Sequence, residues 1–460
     1  MNNLLEDSFE HMATFGFELE FLALFKEYGT LEPWVFKEGE EPNQTRKLFP
    51  EEPRYLGYVG SEHELHMKRL HYFGKQIAEL LTEAGVAVKY REKGHPNDDR
   101  VSGLEANDAK LGHFNEFCYD AYKTATVVSE ETMIWTDPAV NGRRMSVRPN
   151  IQQGYFWLGF EIVSRAYQYR DFASAEEDLA TICKTLRSKY IISVNAGRES
   201  ETDSSRCATH VHWGLSGQPY ELLHIKRLLT LLWVAEEELM GLHATCRQSM
   251  SKYAALLRKQ TNMAMDKTGA LPGWFNNIDT GTSASWREEM EMHVPRLVWE
   301  SLHRGKPKVQ WLWRADGVED LARLVGESKA SRKAAVGITE LLPANFKFVG
   351  KVRKSRLNTV EFRHMQGSLC PELVVAWIEV TGKIVEICSR YSPEDFKNLL
   401  KEVMSCIAEK ESTAYDLLGV LGIGEGLRSI FKVHDQKRLF LPPLDGNPHQ
   451  EARRLLQSHI

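Results

Sequence analysis

Residues 15–21 read FGFELEF. Phe15, Phe17, Leu19 and Phe21 alternate with Gly16, Glu18 and Glu20. A period of two is the strand period, so the apolar side chains share one face and the carboxylates share the other. Glu18 and Glu20 then project together, about 7 Å apart along the strand. Their face continues as Gly16, Leu22 and Leu24, so it is not polar throughout. Two carboxylates on a mainly apolar surface repel each other and lose hydration. Either their pKa values rise or a cation sits between them. The plainer alternative is the wetted face of a half-exposed antiparallel sheet.

Three distant segments repeat the arrangement. THVHWGL (209–215) sets His210 and His212 on one face, and TVEFRHM (359–365) does the same for Glu361 and Arg363. LGFEIVSR (158–165) carries Glu161 within an apolar strand. Each has an ordinary reading: a surface or core histidine pair, a cross-strand salt bridge, an isolated carboxylate. If the four strands share a sheet, however, four glutamates and two histidines converge, with Arg363 beside them. Oxygen-rich donors with few nitrogens suit Mg²⁺ or Mn²⁺, whereas zinc would use more His or Cys. Carboxylate-held Mg²⁺ commonly serves phosphate chemistry, and an arginine there stabilises a transferring phosphoryl group. No Walker-type phosphate loop and no kinase His-Arg-Asp with a downstream Asp-Phe-Gly is present, so a nucleotide would be held another way.

The rest of the chain frames this site. Its 460 residues suffice for a large core, and a net charge of −5 argues against a nucleic-acid or acidic-membrane partner. The seven cysteines include no Cys-x-x-Cys pair, which argues against a structural zinc site or disulfide framework. The longest apolar stretch, 222–242, is broken by Lys226, Arg227 and three glutamates, and reads as a buried helix. With no signal peptide visible, a cytoplasmic protein without membrane contact is expected.

Strand patterns fall at 14–24, 86–92, 125–135, 154–164, 190–197, 208–215 and 358–367. Helical spacing falls at 61–84, 173–189, 219–260, 285–303, 318–332, 371–390 and 393–410. Loops at 30–60 and 266–283 are candidate lids. The cluster VQWLWR (309–314) reads as core. The basic run 347–356 is either a solvated loop or a source of phosphate contacts from Arg353 or Arg356. The order of elements gives an α+β chain with no linker between independent domains.

FGFELEF, GFEIVS, ATHVHWGL and NTVEFRHMQGS, in that order, resemble the amidoligase family of glutamine-synthetase-like carboxylate–amine ligases, its fungal and bacterial members above all. The likeness spans about 14–370. It implies a curved antiparallel sheet with helices on its convex side. It also implies a catalytic domain over 1–370 with a helical insertion at about 219–335, and a helical extension over 371–460 packed on the same domain. The implied cofactors are ATP and two or more Mg²⁺ or Mn²⁺ ions. The implied reaction phosphorylates a small carboxylate to an acyl phosphate, which an amine then attacks, amino acids or peptides being possible substrates. On that pattern Glu18, Glu20, Glu161, His210 and Glu361 are metal ligands. His212 lines the nucleotide, Arg363 binds phosphate, and Asn345 matches an asparagine upstream of the last motif. Two departures stand out. Ser164 is followed by Arg165 where the family has proline, and Cys207 by Ala208-Thr209 where it has glycine before His-x-His. The alternatives are a metal-dependent hydrolase or oxygenase using His210, His212 and a glutamate, and a non-catalytic relative that binds a ligand.

Overall fold

The computed structural model describes residues 9–29, 50–54, 62–91, 125–129, 155–190, 192–193, 207–215, 219–243, 254, 256–265, 283–301, 308–326, 334–342, 347–348, 351–352, 358–409 and 411–437. Most of the 30–60 loop, the 266–282 segment, Asn345, Arg353 and Arg356 lie outside the described residues.

β1 (Ala13–Lys26) is the spine of the fold. β4 (Tyr155–Val163) runs antiparallel along one side of it, from Glu18 to Lys26, and β5 (Tyr167–Gln168) continues that side at Thr14 and Phe15. β7 (Ala208–Leu215) lines the other side over Ala13–Leu19, and β6 (Ile192–Ser193) takes over at Leu22 and Ala23. With β2 (Val88–Arg91), β3 (Ala125–Ser129), β8 (Val336–Gly337) and β11 (Thr359–Gln366), these form an open sheet in the order β2-β3-β4-β1-β7-β11-β8. β9 (Lys347–Phe348) and β10 (Lys351–Val352) make a separate ribbon. The chain is α+β and its sheet is antiparallel except for the parallel β2–β3 pair.

The odd positions of β1 build one wall of the core. Phe15, Phe17, Leu19, Phe21 and Phe25 are all buried, each phenylalanine stabilising the fold by about 2 kcal/mol. Helices cover this face. α1 (Glu62–Glu83) meets β2, β3 and β4, while α4 (Pro371–Arg390) meets β7, α2 (Phe172–Lys189) and α3 (Leu222–Leu239). Trp213 of β7 fixes the angle of α4. Its Nε1 donates to Thr381 Oγ1 at 2.9 Å. A Cβ at Gly382 would lie 2.6 Å from the indole, so only glycine admits so close a helix.

α3 carries the charges that break the apolar 222–242 stretch. Lys226 pairs with Glu289 at 3.2 Å, and Arg227 donates to Tyr391 O at 2.7 Å and to His293 Nδ1 at 3.2 Å. No described helix is long and apolar enough to cross a membrane. The VQWLWR cluster forms most of a helix (Lys308–Arg314), with Trp311 and Trp313 buried in the core. The helix expected over 285–303 is two helices, Ser283–His293 and Arg296–Ser301, because Pro295 has no N–H to continue the ladder.

Candidate metal centre

Register brings the four polar segments onto one face. Residues directly opposite one another in paired strands point the same way. Glu20 stands opposite Glu161 of β4 and Glu18 opposite His210 of β7, while His212 stands opposite Glu361 of β11. The even face of β1, predicted to gather these side chains, therefore does so.

The side chains meet closely. His210 Nδ1 lies 2.6 Å from Glu18 Oε2 and 3.5 Å from Glu361 Oε1. His212 Nε2 lies 3.0 Å from Glu18 Oε1 and 3.7 Å from Glu361 Oε1. Among the described residues, two groups have the spacing to hold a cation: Glu18 with Glu161 and His210, and Glu18 with His212 and Glu361. Within each group one donor atom per residue lies within 4.8 Å of the others. Glu18 belongs to both, so it is positioned to bridge two ions.

The electrostatics tie carboxylates and imidazoles together. Burial would raise the Glu18 carboxyl, yet His212 and His210 hold it well below the ordinary carboxylate value. Burial would lower His212, yet Glu18 and Glu361 raise it above the ordinary imidazole value. Burial also pushes Glu361 up, and Arg363, His212 and His210 outweigh it. Glu361 Oε1 faces Arg363 and His212, and His212 Nε2 faces Glu18 Oε1. An imidazole lone pair and carboxylate oxygens at these separations need a proton or a cation between them. The donor set of carboxylates with one imidazole per group suits Mn²⁺ and tolerates Mg²⁺.

The surrounding residues have separate jobs. Arg363 pairs with Glu361, and its second amino group lies 3.4 Å from His210 Nε2. Glu20 falls outside both groups. One of its oxygens accepts from the Ala208 backbone N–H at 2.7 Å, and the other lies 4.0 Å from His210 Nε2. It thus ties the start of β7 to β1. His212, expected to line the nucleotide, falls within one of these groups, and Thr359 Oγ1 lies 3.4 Å from its other ring nitrogen. A Cβ at Gly337 would lie 2.9 Å from Glu361 Oε2, so glycine there leaves the carboxylate its place. The motif departures fall beside the cluster. Ser164 Oγ accepts from Phe17 N at 2.8 Å, and Arg165 turns to Asp178 at 3.0 Å.

Thr359, Gly337 and His364 carried no signal of their own in the sequence. The chain matches none of the protein-family models, curated proteins or solved structures with which it was compared.

Proposed function

We propose that this chain is an ATP-dependent carboxylate–amine ligase of the glutamine-synthetase-like kind, forming an amide bond between a small carboxylic acid and an amine. The observation that carries the reading is Glu18, shared by two ligand groups that each add a second glutamate and a histidine. Supporting it is the order of the four motifs along the chain. Glu18, Glu161 and His210 would hold one divalent cation, and Glu18, His212 and Glu361 the other. Bound there, the cations would neutralise two anionic reactants, polyphosphate and carboxylate, that otherwise repel.

The chain's own residues do the rest. Arg363 presents a guanidinium beside the cluster, suited to donate to phosphate oxygens and to stabilise charge as the phosphoryl group moves. The carboxylate oxygen attacks the γ-phosphorus and ADP departs. The amine nitrogen then attacks the acyl carbon and phosphate leaves. The amine gives up its proton on the way, and a cluster carboxylate is the acceptor at hand.

Purified protein with ATP, Mn²⁺ or Mg²⁺ and a panel of acids and amines is expected to release ADP and phosphate and to form an amide detectable by mass. Undiminished turnover in a Glu18→Gln/Glu361→Gln double variant would remove the assignment. One observation favours a second reading. An imidazole in each group also suits zinc or iron in a hydrolase or oxygenase. Tightly held Zn or Fe in protein that shows no affinity for ATP would favour that reading.

A further inference from the structure

β11 is not a regular strand. Glu361 and Phe362 pair with His212 and Val211, but Met365 and Gln366 pair with Thr209 and Ala208. Arg363 and His364 therefore share the single place opposite His210, which is a β-bulge with one extra residue. Its backbone leaves the β7 ladder there, and Arg363 N donates across to Ala335 O at 2.7 Å.

The two bulge residues part company. Arg363 reaches the metal-ligand cluster, touching Glu361 and His210. His364 goes the other way into the helix layer, where its Nε2 lies 3.1 Å from Glu236 Oε1 of α3. Both of these side chains are fully buried, at 0% exposure. The second oxygen of Glu236 accepts the Leu257 backbone N–H at 2.5 Å. The His364 ring also meets Trp377 edge-on, with centroids 5.7 Å apart.

A carboxylate–imidazole pair in a dry core is a costly way to fill space, since apolar residues of similar volume do so without losing hydration. Its position explains its use. A strand slip of one residue reverses every side chain it carries, and a bulge is the place where such a slip starts or stops. Anchoring the extra residue to a helix pins the bulge at 363–364 and no other register. We infer that the Glu236–His364 pair is the positioning device for Arg363, holding the β11 bulge beside it so that the guanidinium stays on the face that alternation from Glu361 gives it. Glu18, Glu161, His212 and Glu361 lie in regular ladder, and His210, opposite the bulge, keeps its regular pairing with Glu18 of β1.

The inference rests on the phosphate role proposed for Arg363, and two readouts keep them apart. Wild type, Arg363→Gln, His364→Leu and His364→Gln are titrated with Mn²⁺, then with inorganic pyrophosphate in saturating Mn²⁺. His364→Leu is expected to weaken pyrophosphate about tenfold, towards Arg363→Gln, while Mn²⁺ affinity stays within about twofold. His364→Gln, whose amide can still donate to Glu236, recovers most of the loss. Wild-type pyrophosphate affinity in His364→Leu, or parallel loss of both ligands, overturns the inference. If wild type holds Mn²⁺ but not pyrophosphate, the phosphate role of Arg363 fails, and a crystal structure of His364→Leu decides the positioning alone. Arg363 displaced from Glu361 and His210 supports it, and Arg363 unmoved refutes it. Should His364→Leu not fold, Glu236→Gln takes its place in the same measurements.

Discussion

Two sets of buried charges lie on opposite faces of the same sheet, and they are balanced differently. In the helix layer several buried ionisable groups are paired: Glu236 with His364, Lys226 with Glu289, Arg227 with His293 and a carbonyl. On the site face Glu18, Glu20, Glu161 and Glu361 gather around two imidazoles and one guanidinium. Carboxylates outnumber the fixed positive charge on the site face, where Arg363 is the guanidinium, and they do not in the helix layer. The first imbalance is one that a bound cation would offset, and the second set is matched within the protein. Removing the shared ligand should break this contrast most severely. Glu18→Gln takes one donor from both groups, so Mn²⁺ affinity is expected to drop by about a thousandfold or more, roughly 4 kcal/mol. Calorimetric titration of the variant reads this directly, and an affinity within tenfold of wild type would mean that Glu18 does not bridge.

The helix layer breaks in another currency. Glu236→Leu leaves His364 and the Leu257 N–H without their acceptor in a dry core. Removing one partner of a buried pair typically costs about 3 kcal/mol or more. Denaturant unfolding should show this loss, and should show less for Glu18→Gln, which keeps an amide oxygen for the two histidines at a partly exposed position. Equal destabilisation by the two substitutions would erase the distinction between the faces.

Within the site the comparison sharpens to its two halves. His210 belongs to one ligand group and His212 to the other. Each single change to Gln is expected to weaken one Mn²⁺ step by about tenfold, or 1.4 kcal/mol, and to leave the other in place. Two-site titrations of His210→Gln and His212→Gln should therefore lose different steps. Identical curves would argue that the cluster holds a single ion.

The site face was largely legible in the sequence because alternation is a local signal. Phe15, Glu18 and Leu19 assign their own faces, and the same rule placed Glu161, His210, His212 and Glu361. The strands expected over 14–24, 154–164, 208–215 and 358–367 formed within two residues of those limits at each end. The rest depends on long-range pairing. Nothing in EFRHMQ says that one residue is extra, since the bulge exists only relative to β7. Glu236 reads as one of three consecutive glutamates in a helix, and only the fold shows that it, not Glu237 or Glu238, lies fully buried. The two-residue strand at Val336–Gly337 is too short for any pattern. His212 was assigned to the nucleotide by resemblance, and only the geometry sets its Nε2 3.0 Å from Glu18.

The smallest expected effect is a pH dependence confined to the helix layer. His293 is almost fully buried, stacked on Trp313 with ring centroids 5.2 Å apart, and accepts from Arg227 Nε at 3.2 Å. Burial first, then the positive charges of Arg227 and Lys397, hold its pKa down to about 4. In the unfolded chain the same imidazole takes a proton near 6.5. Between those values the unfolded state binds the extra proton and the folded state does not, so falling pH favours unfolding. The stability that neutral His293 provides is therefore complete above about pH 6.5 and is lost progressively towards pH 4. His293→Gln retains an acceptor for Arg227 but does not titrate. Its melting temperature should fall less than that of wild type between pH 7 and pH 5, with the two converging at the acid end. Glu18 and Glu361 are held below the ordinary carboxylate value, and His293→Gln leaves the site face unchanged, so the difference between the two proteins isolates the helix layer. A slope unchanged by His293→Gln would mean that acid acts on the molecule through the site face instead.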